Sequence, residues 1–463
     1  MPNLKKSLSP ATLITAILTF LLFLPDLDTF TFKFSVAPPL LNLLAPIDEF
    51  RFSVVFGKAA CVLLAILSLF CASSCLRNSR LKLLCLGSAG LVLYSWLLLV
   101  INGLPIADLM SVQSLVGIYL MTLSAFVTCG FAKDGRVLLG VGLGVLGAGG
   151  IRLLYAIYCY RRYGGVQIFE NTPALAMDGG LLVIWAVLAV GAGVYALQLF
   201  HERQLGSSFL MLVMTMIFAA PVAASFRRTA MLLLLLNLCL AAVIYSWFRN
   251  RLAAGILWVG GMSMVALVGL FLVMSAVFGV ATATERVFSV TSSSVNAANS
   301  FGNSNAFYED DQRALLETLK NSSFIGVGPG MPYGVSRMTD AETEDEGIVP
   351  LHTGMSELWA SSGVVGMIYH LVFMIGLPIS WLRAYRQHQD GSTKALVALA
   401  GSYVLFTVLW PFAPPFYINT QWSIIMGLCL GYLIHAASQA SLVAEQKRGP
   451  AANSYPRPAP MAA

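Results

Sequence analysis

Three kinds of side chain in this sequence are placed where they could do chemistry. Arg227 and Arg228 stand together in Ala224-Ser225-Phe226-Arg227-Arg228-Thr229-Ala230, a turn of almost no length between two apolar runs. An arginine at that depth is costly unless it snorkels to the surface or meets an anion. A guanidinium presents paired N–H donors that match phosphate oxygens, so the pair reads as an anion site for a phosphorylated or diphosphate-bearing lipid. Arg227 also fits an interfacial anchor touching lipid phosphate. His352 closes a long polar segment, 281–351, where the chain returns to an apolar run containing Met355, Leu358, Trp359 and Val364. Imidazole there could take a proton near neutral pH beside a lipid-borne substrate, or could simply cap the helix that follows. The third candidate, Arg313, lies within the polar segment.

The polar segment has three parts. Residues 287–307 are rich in Ser, Asn and Ala and read as a lid or surface stretch. Asp310 to Lys320 has helical spacing, with Leu315, Leu316 and Leu319 on one face and acids at its start that suit the helix dipole. Arg313 can pair there with Glu317 at i,i+4, which is its plainest role. Gly326-Val327-Gly328-Pro329-Gly330 then makes a tight turn without the Lys and Ser/Thr of a phosphate-binding P-loop. The acidic run Asp340, Glu342, Glu344, Asp345 and Glu346 matches no calcium-loop spacing and reads as a solvated surface. The five histidines (201, 352, 370, 388 and 435) are dispersed, so no histidine-based metal site is expected.

The elements that must position these residues are membrane helices. The 463 residues are 57% hydrophobic and only 11% charged, the balance of an integral membrane protein. Backbone in lipid has to satisfy its own hydrogen bonds, so the expected spans are helical. About twelve runs approach the ~20 residues that a bilayer requires. They lie near 11–25, 53–74, 83–103, 111–132, 137–159, 178–200, 206–225, 229–248, 252–280, 355–381, 394–411 and 420–438. The fifth is rich in glycine between Gly140 and Gly150, which favours close helix packing. Pro38, Pro39 and Pro46 make 32–50 an extramembrane or re-entrant loop.

The expected organisation is nine spans in 1–280, a large outer loop at 281–354, three spans in 355–438 and a disordered tail at 439–463. On this map one side holds 16 of the 28 Lys and Arg with only four of the 22 acids. The other side keeps the remaining twelve basic and eighteen acidic residues. The basic side is cytoplasmic by the positive-inside rule, with both termini, and the loop and His352 face outward. Lys5 and Lys6 before an apolar run resemble a signal peptide, but Pro25-Asp26-Leu27-Asp28 follows in place of a small-residue cleavage site. An uncleaved signal anchor is therefore expected. Arg152, Arg161 and Arg162 fall on the outer side as belt residues. The eight cysteines lie in or beside spans and imply no disulfide framework, with Cys71 and Cys75 read as helix packing.

Taken together, Arg228-Thr229-Ala230 opening a span, a loop helix with Arg313, the turn Gly326 to Gly330, and His352 with Gly363 and Gly366 downstream resemble the O-antigen ligase and polymerase superfamily of bacterial inner-membrane glycosyltransferases. The resemblance covers the architecture of the whole chain, and residue motifs from about Ser225 to Gly366. It implies an all-α, GT-C-like membrane fold of about twelve helices with one large periplasmic loop containing short helices. It further implies a metal-independent, inverting transfer of a glycan from undecaprenyl diphosphate to an acceptor hydroxyl. On that resemblance Arg228 and Arg313 hold the diphosphate, His352 is the general base, and Arg227, Gly328 and Gly330 contribute to substrate binding. No cofactor, metal or nucleic-acid partner is implied. The implied partners are the carrier-linked glycan donor, lipid A–core or another glycan acceptor, and membrane lipids. Arg227 replaces the Ser that often precedes the family's arginine, which leaves open which of the pair binds phosphate. Thr353 stands where Asn commonly follows the histidine. A ligase acting on lipid A–core leads; a polymerase, a protein O-oligosaccharyltransferase and a transporter of lipid-linked glycans are the alternatives. The informative charges cluster at the outer face, which favours chemistry over transport.

Overall fold

The computed structural model of the protein describes residues 9–24, 49–103, 113–163, 166–169, 172–174, 179–225, 228–253, 354–386, 393–409 and 420–448, with 255–256, 258, 260–261, 275, 324–326 and 328. In chain order the helices are α1 (Pro10–Phe23), α2 (Glu49–Cys75), α3 (Ser79–Ile101), α4 (Gln113–Phe131), α5 (Gly135–Tyr163), α6 (Gly179–His201), α7 (Leu205–Ala224) and α8 (Arg228–Phe248). There follow α9 (Gly354–Tyr369), a π-helical segment (His370–Gly376), α10 (Leu377–Arg386), α11 (Lys394–Leu409) and α12 (Thr420–Arg448). Six helical stretches are long and apolar enough to cross a membrane, and five shorter apolar ones accompany them among the described residues. At 1.5 Å per residue, the 23 residues of α3 run about 35 Å, enough for a hydrocarbon core of about 30 Å. The chain is a multi-pass membrane protein.

Local chemistry sets several helix ends. Ser9 precedes Pro10 and its Oγ accepts the Thr12 N–H at 3.2 Å, closing the start of α1. Asn78 does the same for α3, its Oδ1 accepting from Arg80 N at 3.0 Å and Leu81 N at 3.4 Å. Its Nδ2 donates to Ser438 Oγ at 2.9 Å, so the α2–α3 turn is tied to α12.

Glycine governs the closest helix contacts. A Cβ on Gly140 would lie 2.6 Å from Thr12 O, and one on Gly144 2.5 Å from Ala16 O, so α5 meets α1 backbone to backbone. The expected packing role of this glycine run therefore holds at those two positions. Gly427 and Gly431 repeat the spacing on α12, where Cβ atoms would collide with Met121 O and Ala125 O of α4. Cys71 and Cys75 are buried against Gly130 of α4, and no disulfide joins the described cysteines. α6 and α12 are the most enclosed of the long spans, and α11 packs against α6, α8, α12 and the π segment.

Four features depart from the expectations. A two-stranded antiparallel hairpin, β1 (Val166–Phe169) and β2 (Thr172–Ala174), follows α5, with Phe169 opposite Thr172 across a two-residue connection. The fold is all-helical as expected, with this short hairpin added to it. β-Branched and aromatic residues in Val166-Gln167-Ile168-Phe169 suit extended pairing. α12 continues to Arg448, ten residues past the expected 438, because Ser438 to Arg448 contains good helix formers and no Gly or Pro. The tail from 449 lies outside the described residues, as do most of the ninth expected span and most of the loop. The span expected at 355–381 is broken at Gly363 (φ 55°, ψ −143°) and passes through the π segment. Lastly, Arg152 is not a lipid-facing belt residue. It is 4% exposed, and its Nη1 donates to Phe23 O at 3.1 Å and Gln421 Oε1 at 2.9 Å. A guanidinium so deep in the bundle needs acceptors, and the end of α1 and the start of α12 supply them.

Candidate functional site

The polar loop is anchored to the membrane helices through its glycine turn. At Gly363 the backbone of α9 takes a conformation with φ 55° that side-chain-bearing residues rarely adopt. Such a break disturbs helical hydrogen bonding on both sides of itself, and the loop takes up part of it. Val364 N–H donates to Phe324 O at 2.9 Å, and Gly328 N–H donates to Ser361 O at 2.8 Å. Gly326 (φ 89°) and Gly328 (φ 98°) supply the left-handed turns that bring these groups into register.

The approach leaves no room for a side chain on either partner. A Cβ on Gly326 would lie 2.7 Å from Gly363 N and 2.8 Å from Ser361 O. One on Gly363 would collide with Phe324 O and lie 2.6 Å from the Ile325 carbonyl carbon. The segment 324–328 is therefore a strap whose backbone lies directly on the α9 break. Trp359 meets Phe324 edge-on at 6.4 Å between ring centroids. From α3, the Tyr94 hydroxyl donates to Ile325 O at 2.6 Å. α3 also holds the lower half of the kinked span: Ser88 Oγ and Tyr369 OH are 3.0 Å apart, and the Phe373 ring lies over Gly87.

The end of α7 and the start of α8 pack on a separate apolar cluster. Leu181, Leu182, Trp185 and Val222 are buried together, with Leu153, Phe218 and Met231 packed around them. Pro221 lies inside the last turn of α7, and Ser225 Oγ donates to Val222 O at 2.7 Å, which ends that helix compactly. Arg228 is then the first residue of α8, whose opening turn holds no acidic residue. A helix N-terminus already carries partial positive charge and ordinarily favours Asp or Glu. In the sequence Arg227 precedes Arg228, so two formal positive charges adjoin this end.

Of the residues singled out from the sequence, Gly328 is fixed in the strap, and its N–H is committed to Ser361 O. Arg228 is placed by its backbone at the head of α8. Arg227, Arg313, Gly330, His352 and the acidic run 340–346 lie outside the described residues. His352 precedes the first residue of α9 by two positions, so chain connectivity keeps it within about 7 Å of Gly354, Cα to Cα. Ser361 and Tyr94 were not singled out from the sequence. A serine within a span and a tyrosine near a span end carry no signal that separates them from packing and belt residues.

Residues 211–371 match the family model described as O-antigen ligase. The matched segment runs from α7 through the arginine turn, Arg313, the glycine strap and His352 to the start of the π segment, and so contains every candidate named above except Tyr94. A search of curated proteins gave no significant match. Residues 211–371 thus carry the signature of the O-antigen ligase superfamily.

Proposed function

We propose that this protein transfers a glycan from undecaprenyl diphosphate to an acceptor hydroxyl, that of lipid A–core, at the periplasmic face of the bacterial inner membrane. The observation that carries the reading is the O-antigen ligase match over 211–371, the segment that also holds the arginine turn and the docked glycine strap. The charge bias of the loops supports cytoplasmic termini and an outward-facing site.

Each residue has a chemical task in this reading. The acceptor O–H gives its proton to the His352 imidazole as its oxygen attacks the anomeric carbon. The bond from that carbon to the diphosphate oxygen breaks, and the configuration at carbon inverts. Charge gathers on the departing diphosphate, where Arg228 and Arg313 hold it by paired hydrogen bonds, with Arg227 beside them. Gly328 and Gly330 contribute to substrate binding. No metal ion is required, because guanidinium groups supply the charge that stabilises the leaving group. Exclusion of stray water by the loop limits hydrolysis of the donor.

The test is incubation of the purified protein with carrier-linked glycan and lipid A–core, with products read by mass spectrometry. Glycan on lipid A–core with release of carrier diphosphate is the expected result. Lengthened carrier-linked glycan would make the protein a polymerase, and glycan on a Ser or Thr a protein O-oligosaccharyltransferase. Donor movement with no covalent product would make it a transporter. His352→Ala should abolish product while leaving carrier-lipid binding intact, and near-wild-type turnover in that variant would remove the general base from the mechanism.

A further inference from the structure

We infer that Tyr94 is a positioning residue of the transfer site, acting from α3 on the peptide that joins Ile325 to Gly326. The inference rests on the transfer reading above. Its physical basis is how little else holds the strap among the described residues. Phe324 is 70% exposed and Ile325 57% exposed, so the apolar side chains of the strap are largely unburied and packing contributes little to its position. The strap is held by hydrogen bonds: Phe324 O to Val364 N–H, Gly328 N–H to Ser361 O, and Tyr94 OH to Ile325 O. The first two are backbone to backbone and both run to α9. Tyr94 alone among the described contacts ties the strap to a second helix by a side chain, across 231 positions of sequence.

The atom that Tyr94 holds matters. Ile325 O belongs to the peptide whose nitrogen is that of Gly326, the residue whose Cα faces Gly363 N and Ser361 O. Fixing that carbonyl at 2.6 Å fixes the rotation of the peptide plane, and with it the direction in which the chain leaves the α9 break. Arg313 lies eleven residues before Phe324, and His352 two residues before α9. The strap is thus a fixed point between the leaving-group arginine and the proton acceptor. Tyr94 acts through the strap and not on the reacting atoms, by holding the Ile325 carbonyl. Loss of such a contact acts on the fraction of molecules in productive geometry, hence on kcat more than on donor binding.

The experiment compares wild type, Tyr94→Phe and a variant with p-aminophenylalanine at position 94, all full-length in nanodiscs. Amide exchange of the peptide covering 324–328 is measured alongside kcat and KM for an undecaprenyl-diphosphate-linked oligosaccharide and the thermal unfolding midpoint. Tyr94→Phe should speed exchange of the strap and lower kcat by up to about tenfold, the upper end of what one hydrogen bond contributes net. KM should stay within about twofold and the unfolding midpoint should not move. The amino variant, which keeps an N–H donor in place of the hydroxyl, should recover both exchange and kcat. Wild-type kcat in Tyr94→Phe would discard the positioning role alone. A fall in kcat that tracks a fall in the unfolding midpoint would likewise make Tyr94 a packing residue. No transfer by wild type to any acceptor, with exchange still faster in Tyr94→Phe, would discard the transfer reading and the positioning role together, while leaving the tether itself in place.

Discussion

Gly363→Ala is the sharpest perturbation of the strap, because its cost can be worked out from the structure. An L-residue at φ 55°, ψ −143° sits in a sparsely populated region that costs about 1–3 kcal/mol. The added methyl would also collide with Phe324 O and press on the Ile325 carbonyl carbon. The strap must then withdraw, giving up Val364 N–H to Phe324 O and Gly328 N–H to Ser361 O, each worth roughly 1 kcal/mol net. The docked arrangement is thereby disfavoured by roughly 3–5 kcal/mol, and at 1.36 kcal/mol per tenfold the rate should fall by about 100-fold or more. Alanine also favours straightening of α9 through position 363, which works in the same direction. The assay is initial-rate transfer from a carrier-linked glycan, read beside amide exchange over 324–328. Gly90→Ala is the control: it lies in the same helix as Tyr94, its Cβ would meet nothing within 4 Å, and its rate should stay within about twofold of wild type, as an unopposed methyl in a helix costs nothing. A Gly363→Ala enzyme with at least a third of the wild-type rate and a protected strap would refute the docking argument.

Two further outcomes follow from the charge-bearing side chains. Arg228→Lys and Arg313→Lys should each lose at least about tenfold in transfer, since an ammonium cannot reproduce the bidentate fork; full activity in both would reduce their role to general electrostatics, and the same change at Arg227 shows which of the adjacent pair holds phosphate. Arg152→Met should lower the thermal unfolding midpoint, because it removes the guanidinium donor to Phe23 O and Gln421 Oε1 inside the bundle at a cost of roughly 2–4 kcal/mol; an unchanged midpoint would show that those two bonds contribute nothing to stability.

The spans were legible because each needs only length and apolar composition, and α3, α5, α6, α7 and α8 fall within a few residues of where hydropathy puts them. Close helix packing at Gly140 and Gly144 was legible too, since small residues four apart admit a neighbouring backbone, but not that α1 is the neighbour. Hydropathy specifies depth but not direction around the helix axis. That is why Arg152 read as a belt residue when it points between α1 and α12. The break at Gly363 and the π segment His370–Gly376 were hidden for another reason: glycine is common in membrane helices, and the π turn bears no distinguishing residue type. In the site, the resemblance picked out Arg228, Gly328 and Gly363, but the turn 326–330 alone was weak. Its meaning lies in the conformation of Gly326 and in what Gly363 does 37 residues later.

Motif reading stops at the limits of the matched segment, whereas the frame that positions the motif does not. The residues proposed to do chemistry all lie within 211–371. The helices that hold the described parts of that segment together include α3 (Ser79–Ile101) and α11 (Lys394–Leu409), both outside it. α11 packs on α8, which carries Arg228 at its head, and on the π segment that continues α9, so it links the arginine turn to the helix that follows His352. α3 packs on α9 and reaches the strap through Tyr94. A partner that is a backbone carbonyl imposes no residue type at position 325, so no pairing rule could have joined Tyr94 to it from sequence. Substitutions in α3 and α11 should therefore alter transfer without touching a motif residue, and they would do so by moving the strap or the arginine turn relative to His352, where misplacement of about 1 Å can cost 100-fold.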